Sequence, residues 1–184
     1  IKEGMCGING VYNLNGLESS STVIQKMNSS TAHRGPDFTG DYKDNMVMLG
    51  HNRLSIIDLS DGANQPLYNN EGDLVLVFNG EIYNYLKLKE LLKADYEFKT
   101  SSDSEVLIAA YQKWGKGCVH KLEGMFAFAI WDIRKQALFI ARDRLGIKPL
   151  YYFDNNQNCI EKLKTTEKGK FFADGIASDL FITD

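Results

Sequence analysis

Cys6 follows directly on Met5. Where methionine is removed, one residue then carries both a thiol and a free α-amine. An α-amine of pKa about 7.7–8.0 is partly neutral near pH 7, so it can accept the thiol proton. Nucleophile and general base are then joined in a single residue. In the sequence as written Ile1-Lys2-Glu3-Gly4 come before Met5, and the amine is tied up in a peptide bond. Without that liberation, a lone cysteine near a terminus is ordinarily a small buried hydrophobe.

Four other blocks carry groups with matching chemistry. Arg53, in His51-Asn52-Arg53-Leu54-Ser55, is either an ion-pair partner on a strand or a bidentate clamp for a carboxylate, for which guanidinium geometry is suited. Asn79-Gly80-Glu81 follows an apolar run. Asn-Gly is a strong turn signal, yet an Asn carboxamide beside a Gly backbone N–H also has the makings of an oxyanion hole. Asp103 falls in the first turn of a helix, where it answers the helix dipole or receives a substrate ammonium group. Arg142 to Tyr152 is dense in charge beside a buried strand, the pattern of a structural ion-pair network.

The elements that must position these residues are legible in part. Val11 and Leu14 suggest a first strand that turns near Asn13, and Val23, Ile24 and Met27 have helical spacing. Pro36 stops that helix within His33-Arg34-Gly35-Pro36-Asp37. Met46 to Ile57 reads as one or two strands broken around His51 and Asn52, and Leu74 to Phe78 as a strand ending at Asn79-Gly80. A helix is expected around Leu86, Leu88, Leu91 and Leu92. A second opens on Ser102-Asp103-Ser104-Glu105, the pattern of a capping box, and continues through Val106, Leu107, Ala110, Tyr111 and Trp114. Met125 to Ile133 and Ala137 to Ala141 read as strands joined by a turn. In the first of these both faces are apolar, which calls for cover on both sides and hence a layered sandwich. Asn155 to Lys170 turns polar without a period, a surface excursion, and Phe171-Phe172-Ala173 is expected to return as a last strand.

Composition narrows the classes. With 184 residues, 43% hydrophobic and 24% charged, the chain is long enough to bury one sizeable core. A net charge of −3 with scattered Lys and Arg gives no footprint for nucleic acid. No run reaches the roughly 20 apolar residues of a membrane span, and the N-terminus lacks the plan of a secretory signal. Three cysteines without CxxC spacing point to a reduced, cytoplasmic protein and give no metal site.

Taken in order, the blocks resemble the glutaminase domain of glutamine-hydrolysing asparagine synthetase, a class II glutamine amidotransferase of the N-terminal-nucleophile hydrolase superfamily. The resemblance runs from Met5 to about Tyr152. It is carried by Met5-Cys6-Gly7-Ile8, HRGPD at His33–Asp37, RLSIID at Arg53–Asp58, NGEIYN at Asn79–Asn84, SSDSE at Ser101–Glu105, LEGMFAFA at Leu122–Ala129 and RDRLGIKPLYY at Arg142–Tyr152. It implies an α+β fold, a four-layer αββα sandwich with two antiparallel sheets. It also implies roles. Cys6 would attack the side-chain amide of glutamine, with Asn79 and Gly80 stabilising the oxyanion. Arg53 would bind the α-carboxylate, Leu54, Ile56 and Ile57 would line the pocket, and Glu81 and Asp103 would hold the α-ammonium. Opposite charges at the two ends select an amino acid over a simple amide, because a mispaired buried charge is expensive.

Several expectations follow from that resemblance. Residues 1–5 would be a tag remnant or removable leader, and residues 6–184 a type 2 glutamine amidotransferase domain. No Ser-Gly-Gly-x-Asp-Ser pyrophosphate loop occurs in the sequence. Activation of aspartate with ATP and Mg²⁺ would therefore belong to a C-terminal synthetase domain or partner subunit, and this domain would need no cofactor. A homodimer is compatible with the family. Two alternatives stand beside the enzyme that feeds asparagine formation. One is a catalytically silent glutamine-binding or structural module; the other is an amidotransferase with a different acceptor, such as a sugar.

Overall fold

The structure, a computed structural model, describes residues 5–12, 21–55, 61–154 and 159–162. One antiparallel sheet is formed by β1 (Gly7–Tyr12), β2 (Phe38–Lys43) and β3 (Val47–Arg53), in the order β1-β3-β2. A second antiparallel sheet takes β4 (Leu67–Tyr68), β5 (Leu74–Ile82), β6 (Gly124–Asp132) and β7 (Ala137–Arg142) in sequence order. Helix α1 (Thr22–Thr31) packs on β1 and β3, while α2 (Tyr85–Leu92) packs on α3 (Asp103–Trp114), which lies against β5. The layers are α1, first sheet, second sheet, then α2 with α3. This is the αββα arrangement that the resemblance implies.

Side-chain alternation along the strands explains the layering. On β5 and β6, Leu74, Leu76, Phe78, Phe126, Phe128 and Ile130 join the core under α2 and α3. Their neighbours Val75, Val77, Ala129 and Trp131 meet Val47 and Leu49 of β3 between the sheets. The α1 side of the first sheet is polar instead. Asn9 Nδ2 donates to Asn28 Oδ1 and Thr31 Oγ1, and Asn52 Nδ2 donates to the same hydroxyl and to the Asn28 carbonyl. The nitrogens of these buried amides find partners on one helix face, which offsets their burial.

Four local expectations are corrected. β3 runs unbroken through His51 and Asn52 to Arg53, because it is the central strand and both neighbours pair along it. β5 does not end at Asn79-Gly80 but pairs with β6 as far as Ile82. Gly80 makes that continuation possible: a Cβ there would fall 2.2 Å from the Met125 carbonyl oxygen. Of the four α2 leucines only Leu88 and Leu92, spaced i and i+4, are buried in the core, whereas Leu86 and Leu91 are exposed. Within the stretch read as an irregular excursion, β9 (Cys159–Lys162) pairs with β8 (Tyr151–Asp154). Asn13, Leu14 and Phe171 to Ala173 lie outside the described residues.

The helix that carries Asp103 is capped as expected. Ser102 Oγ accepts from the Glu105 N–H at 3.2 Å, a contact worth about 1 kcal/mol in caps of this kind. The reciprocal half differs from a capping box. The Glu105 carboxylate reaches past Ser102 to the N–H groups of Lys99 and Thr100 and the Thr100 hydroxyl. That network pins the helix N-terminus to the segment just before it.

Candidate active site

The same period of two that builds the core also gathers the polar residues. On β3, His51 and Arg53 continue the inward series Val47, Leu49, and on β5 Asn79 and Glu81 continue Val75, Val77. Ile8 packs into the inter-sheet core, and Gly7 pairs with Asn52. One step further along β1 lies Cys6, beside Arg53 and on the same inner face. Cys6, Arg53, Asn79 and Glu81 thus converge at one end of the sandwich.

Cys6 is held by backbone on both sides. Its thiol donates to the Leu54 carbonyl at 3.6 Å, and the Leu54 N–H points back at sulfur at 3.4 Å. Arg34 donates Nε–H to the Cys6 carbonyl at 3.3 Å. Burial pushes the thiol pKa up. The Leu54 hydrogen bond and the positive charges of Arg53 and Lys148 pull it down, and Asp103 adds a smaller upward push. A thiol in this setting needs a base to become a nucleophile.

Arg53 is buried, and its Nη1 donates to Asn64 Oδ1 at 2.5 Å. Asn64 is fixed in turn by its own N–H on the Asp61 carbonyl. The His33–Asp37 segment clasps the same strand end: Asp37 N–H donates to the Arg53 carbonyl, and Asp37 Oδ2 accepts from the Ser55 N–H. Gly35 permits that approach, since a Cβ would lie 2.3 Å from the Asn52 carbonyl oxygen. Ile56 and Ile57 lie outside the described residues.

Asn79 is buried, and among the described residues no hydrogen bond engages its carboxamide. Asp103 stands across from Glu81. Its Oδ2 accepts from the Ile82 N–H at 2.9 Å, which ties the start of α3 to the end of β5. Burial raises the Asp103 pKa to about 6; N–H donors from Ile82 and Ser104 oppose that rise, and the Glu81 charge adds to it. The carboxyl is ionised at neutral pH and gains a proton as pH falls through about 6. Because this value lies above the unfolded one, the ionised form costs stability at neutral pH, and the fold gains from this group as pH falls toward 4.

His51 is fully buried, with Nε2 3.1 Å from the Phe78 carbonyl oxygen. Facing a carbonyl, that nitrogen must carry the proton, and burial lowers the pKa to about 4. The ring is a neutral tie between β3 and β5, one residue before Asn79. It is not a base for Cys6.

A glutamine amidotransferase domain family matches residues 5–168 of this sequence. The chain belongs to that family. Among curated relatives of this amidotransferase domain is asparagine synthetase [glutamine-hydrolyzing] 1 of Bacillus subtilis, 47% identical over 152 residues, covering 80% of this chain and 24% of that protein. Asparagine synthetase B [glutamine-hydrolyzing] of Escherichia coli is 44% identical over 149 residues, covering 80% and 26%. Amidase chry2 of Gibberella zeae is 41% identical over 184 residues, covering 94% and 27%. The chain spans about a quarter of the length of these relatives.

Residues without a role in the sequence reading also belong to this end of the amidotransferase domain. Arg34 and Lys148 both reach the Met5–Cys6 segment, and Asn64 braces Arg53. Asp143 is buried and organises the loop after β7: Oδ2 accepts from the N–H groups of Phe126 and Lys148, and Oδ1 from that of Ile147. Arg34, Asp143 and Lys148 all sit inside the quoted motifs. Density of charge next to a buried strand was the available signal, and it gave no partner. Among the described residues, no helix is long and apolar enough to cross a membrane, and no group of three or more His, Cys, Asp or Glu could hold a metal ion.

Proposed function

We propose that this domain hydrolyses glutamine to glutamate and ammonia through a Cys6 thioester, and that the ammonia feeds an asparagine synthetase-type amidation of aspartate. The observation that carries the reading is the convergence of Cys6, Arg53, Asn79, Glu81 and Asp103 at one end of the sandwich. A thiol, an amide donor, a guanidinium and two carboxylates at one place match the electrophilic centre and both charged ends of glutamine.

The working form begins at Cys6. Its α-amine takes the thiol proton as sulfur attacks the δ-carbon of glutamine. Negative charge gathers on the former amide oxygen, and the Asn79 carboxamide and the Gly80 N–H stabilise it as donors. The amine returns its proton to the leaving nitrogen, ammonia departs, and a thioester remains. Water, deprotonated by the same amine, then releases glutamate and restores the thiol. Arg53 takes the α-carboxylate, and Glu81 with Asp103 the α-ammonium, so truncated amides lose the positioning that both ends supply.

These groups supply every proton transfer and charge, and the hydrolytic half needs no cofactor. ATP and Mg²⁺ belong with activation of the acceptor, in a synthetase domain or partner subunit of a cytoplasmic enzyme. The name amidase on the Gibberella zeae relative is the specific observation that keeps a second acceptor class in view.

Glutamine binding to the Cys6→Ala protein, measured by calorimetry across pH, tests the reading of the pocket. Glutamine should bind at pH 7.5 and weaken below pH 6, by up to about tenfold per pH unit, as Asp103 gains its proton and no longer matches an ammonium. Absence of binding at neutral pH would overturn the substrate assignment. Binding that stays level down to pH 5 would remove Asp103 from the ammonium site.

A further inference from the structure

Lys148 is almost fully buried, at 7% exposure, yet its ammonium is spent on a weak acceptor. Its Nζ lies 3.0 Å from Met5 Sδ, and no carboxylate pairs with it among the described residues. A thioether is a poor partner for an ammonium, and a buried charge of this kind calls for a reason. Met5 is the residue joined to the Cys6 nitrogen. The ammonium therefore stands against the residue whose removal frees the α-amine of Cys6.

The position is built and not incidental. Asp143 holds the Lys148 N–H at 2.9 Å with the same oxygen that takes the Phe126 N–H, and Phe126 pairs with Gly80 across β5 and β6. Pro149 follows, and a residue before proline is steered away from helical backbone. Lys148 is thus keyed to the strand that carries Asn79 and Gly80. Arg34 grips the Cys6 carbonyl.

We propose that Lys148 is a positioning residue whose ammonium, together with Arg34, keeps the freed α-amine of Cys6 in its neutral, proton-accepting form. A neighbouring cation disfavours a second positive charge, and so lowers an amine pKa. The charges facing this point are Arg34 after α1, Arg53 on β3, Glu81 on β5, Asp103 at the start of α3, and Asp143 and Lys148 after β7. Asp143 is committed to three backbone N–H groups, and Asp103 to that of Ile82. Among the described residues none of these carboxylates forms an ion pair with Lys148 or Arg34, although Glu81 and Asp143 still act on the Lys148 ammonium through space. Lys148 and Cys6 already sense one another: the lysine lowers the thiol pKa, and the thiol side holds the lysine up against burial and Arg34.

The inference rests on the proposed glutaminase reading for its purpose, but the amine can be titrated without turnover. Protein beginning at Cys6 and labelled with 13C-cysteine reports the amine through the Cys6 Cα shift. In K148M and K148Q the midpoint should rise by about one pH unit, a modest share of what a unit charge gives at short range. In K148R it should stay within a few tenths of the parent, and the acidic limb of kcat/KM should move in step with each midpoint. An unchanged midpoint in whichever of K148M and K148Q folds, or a K148R shift as large as theirs, would overturn the proposal. So would a change confined to the glutamine KM. Shifted midpoints in a protein that never releases glutamate would uphold the lysine's role while defeating the glutaminase reading.

Discussion

Protein beginning at Cys6 should release glutamate from glutamine about 10²–10⁴-fold faster than protein with Met5 still attached, the range that a positioned general base contributes. Replacing the thiol in the shorter protein, as Cys6→Ala, should remove the activity altogether, since losing a nucleophile elsewhere has cost about 10⁶-fold. Two observations carry the first figure. Burial raises the thiol pKa, so little thiolate forms unaided. Nor does a side-chain base hydrogen-bond the sulfur among the described residues: its partners are the Leu54 carbonyl and N–H, and His51 is tied to the Phe78 carbonyl with a pKa near 4. The α-amine is the group that remains, and a peptide bond to Met5 removes it. Rates that match with and without residues 1–5 would place the base elsewhere.

Asn79→Ala should lower kcat by about 10²–10³-fold while the glutamine KM moves only a few-fold, because an oxyanion donor acts on charge present in the transition state and not in bound substrate. The strand should survive the change. Asn79 contributes to β5 through backbone paired with Ala127, and among the described residues its carboxamide supports no hydrogen bond. Gly80 offers no comparable test, as any side chain there would strike the Met125 carbonyl. A kcat unaffected by Asn79→Ala, with folding intact by circular dichroism, would take the carboxamide out of the reaction.

Much of this site was legible as chemistry before it was legible as place. Cys6, Arg53, Asn79, Glu81 and Asp103 can be picked out by type and context, and the apolar alternation of Met125 to Ile133 announces a sheet covered on both faces. Their meeting point could not be read, because facing register between two sheets is set by packing across the core and not by local pattern. The Asn79-Gly80 pair shows the difficulty. Its turn chemistry is real, yet pairing with β6 outweighs it, and glycine serves there to admit a neighbouring carbonyl. In α2 four leucines suggest a broad apolar face, but eight residues wind only far enough to bury Leu88 and Leu92. Arg34 and Lys148 lie 28 and 142 residues from Cys6. Only the fold brings such distant charges to one thiol.

The most direct test of the account is to mix protein beginning at Cys6 with glutamine, quench in acid within a single turnover, and weigh the peptides. The account predicts a transient gain of one γ-glutamyl group on the Cys6 peptide, labile to hydroxylamine as a thioester should be. Glutamate formed in the same burst with no acyl group ever found on Cys6 would contradict it.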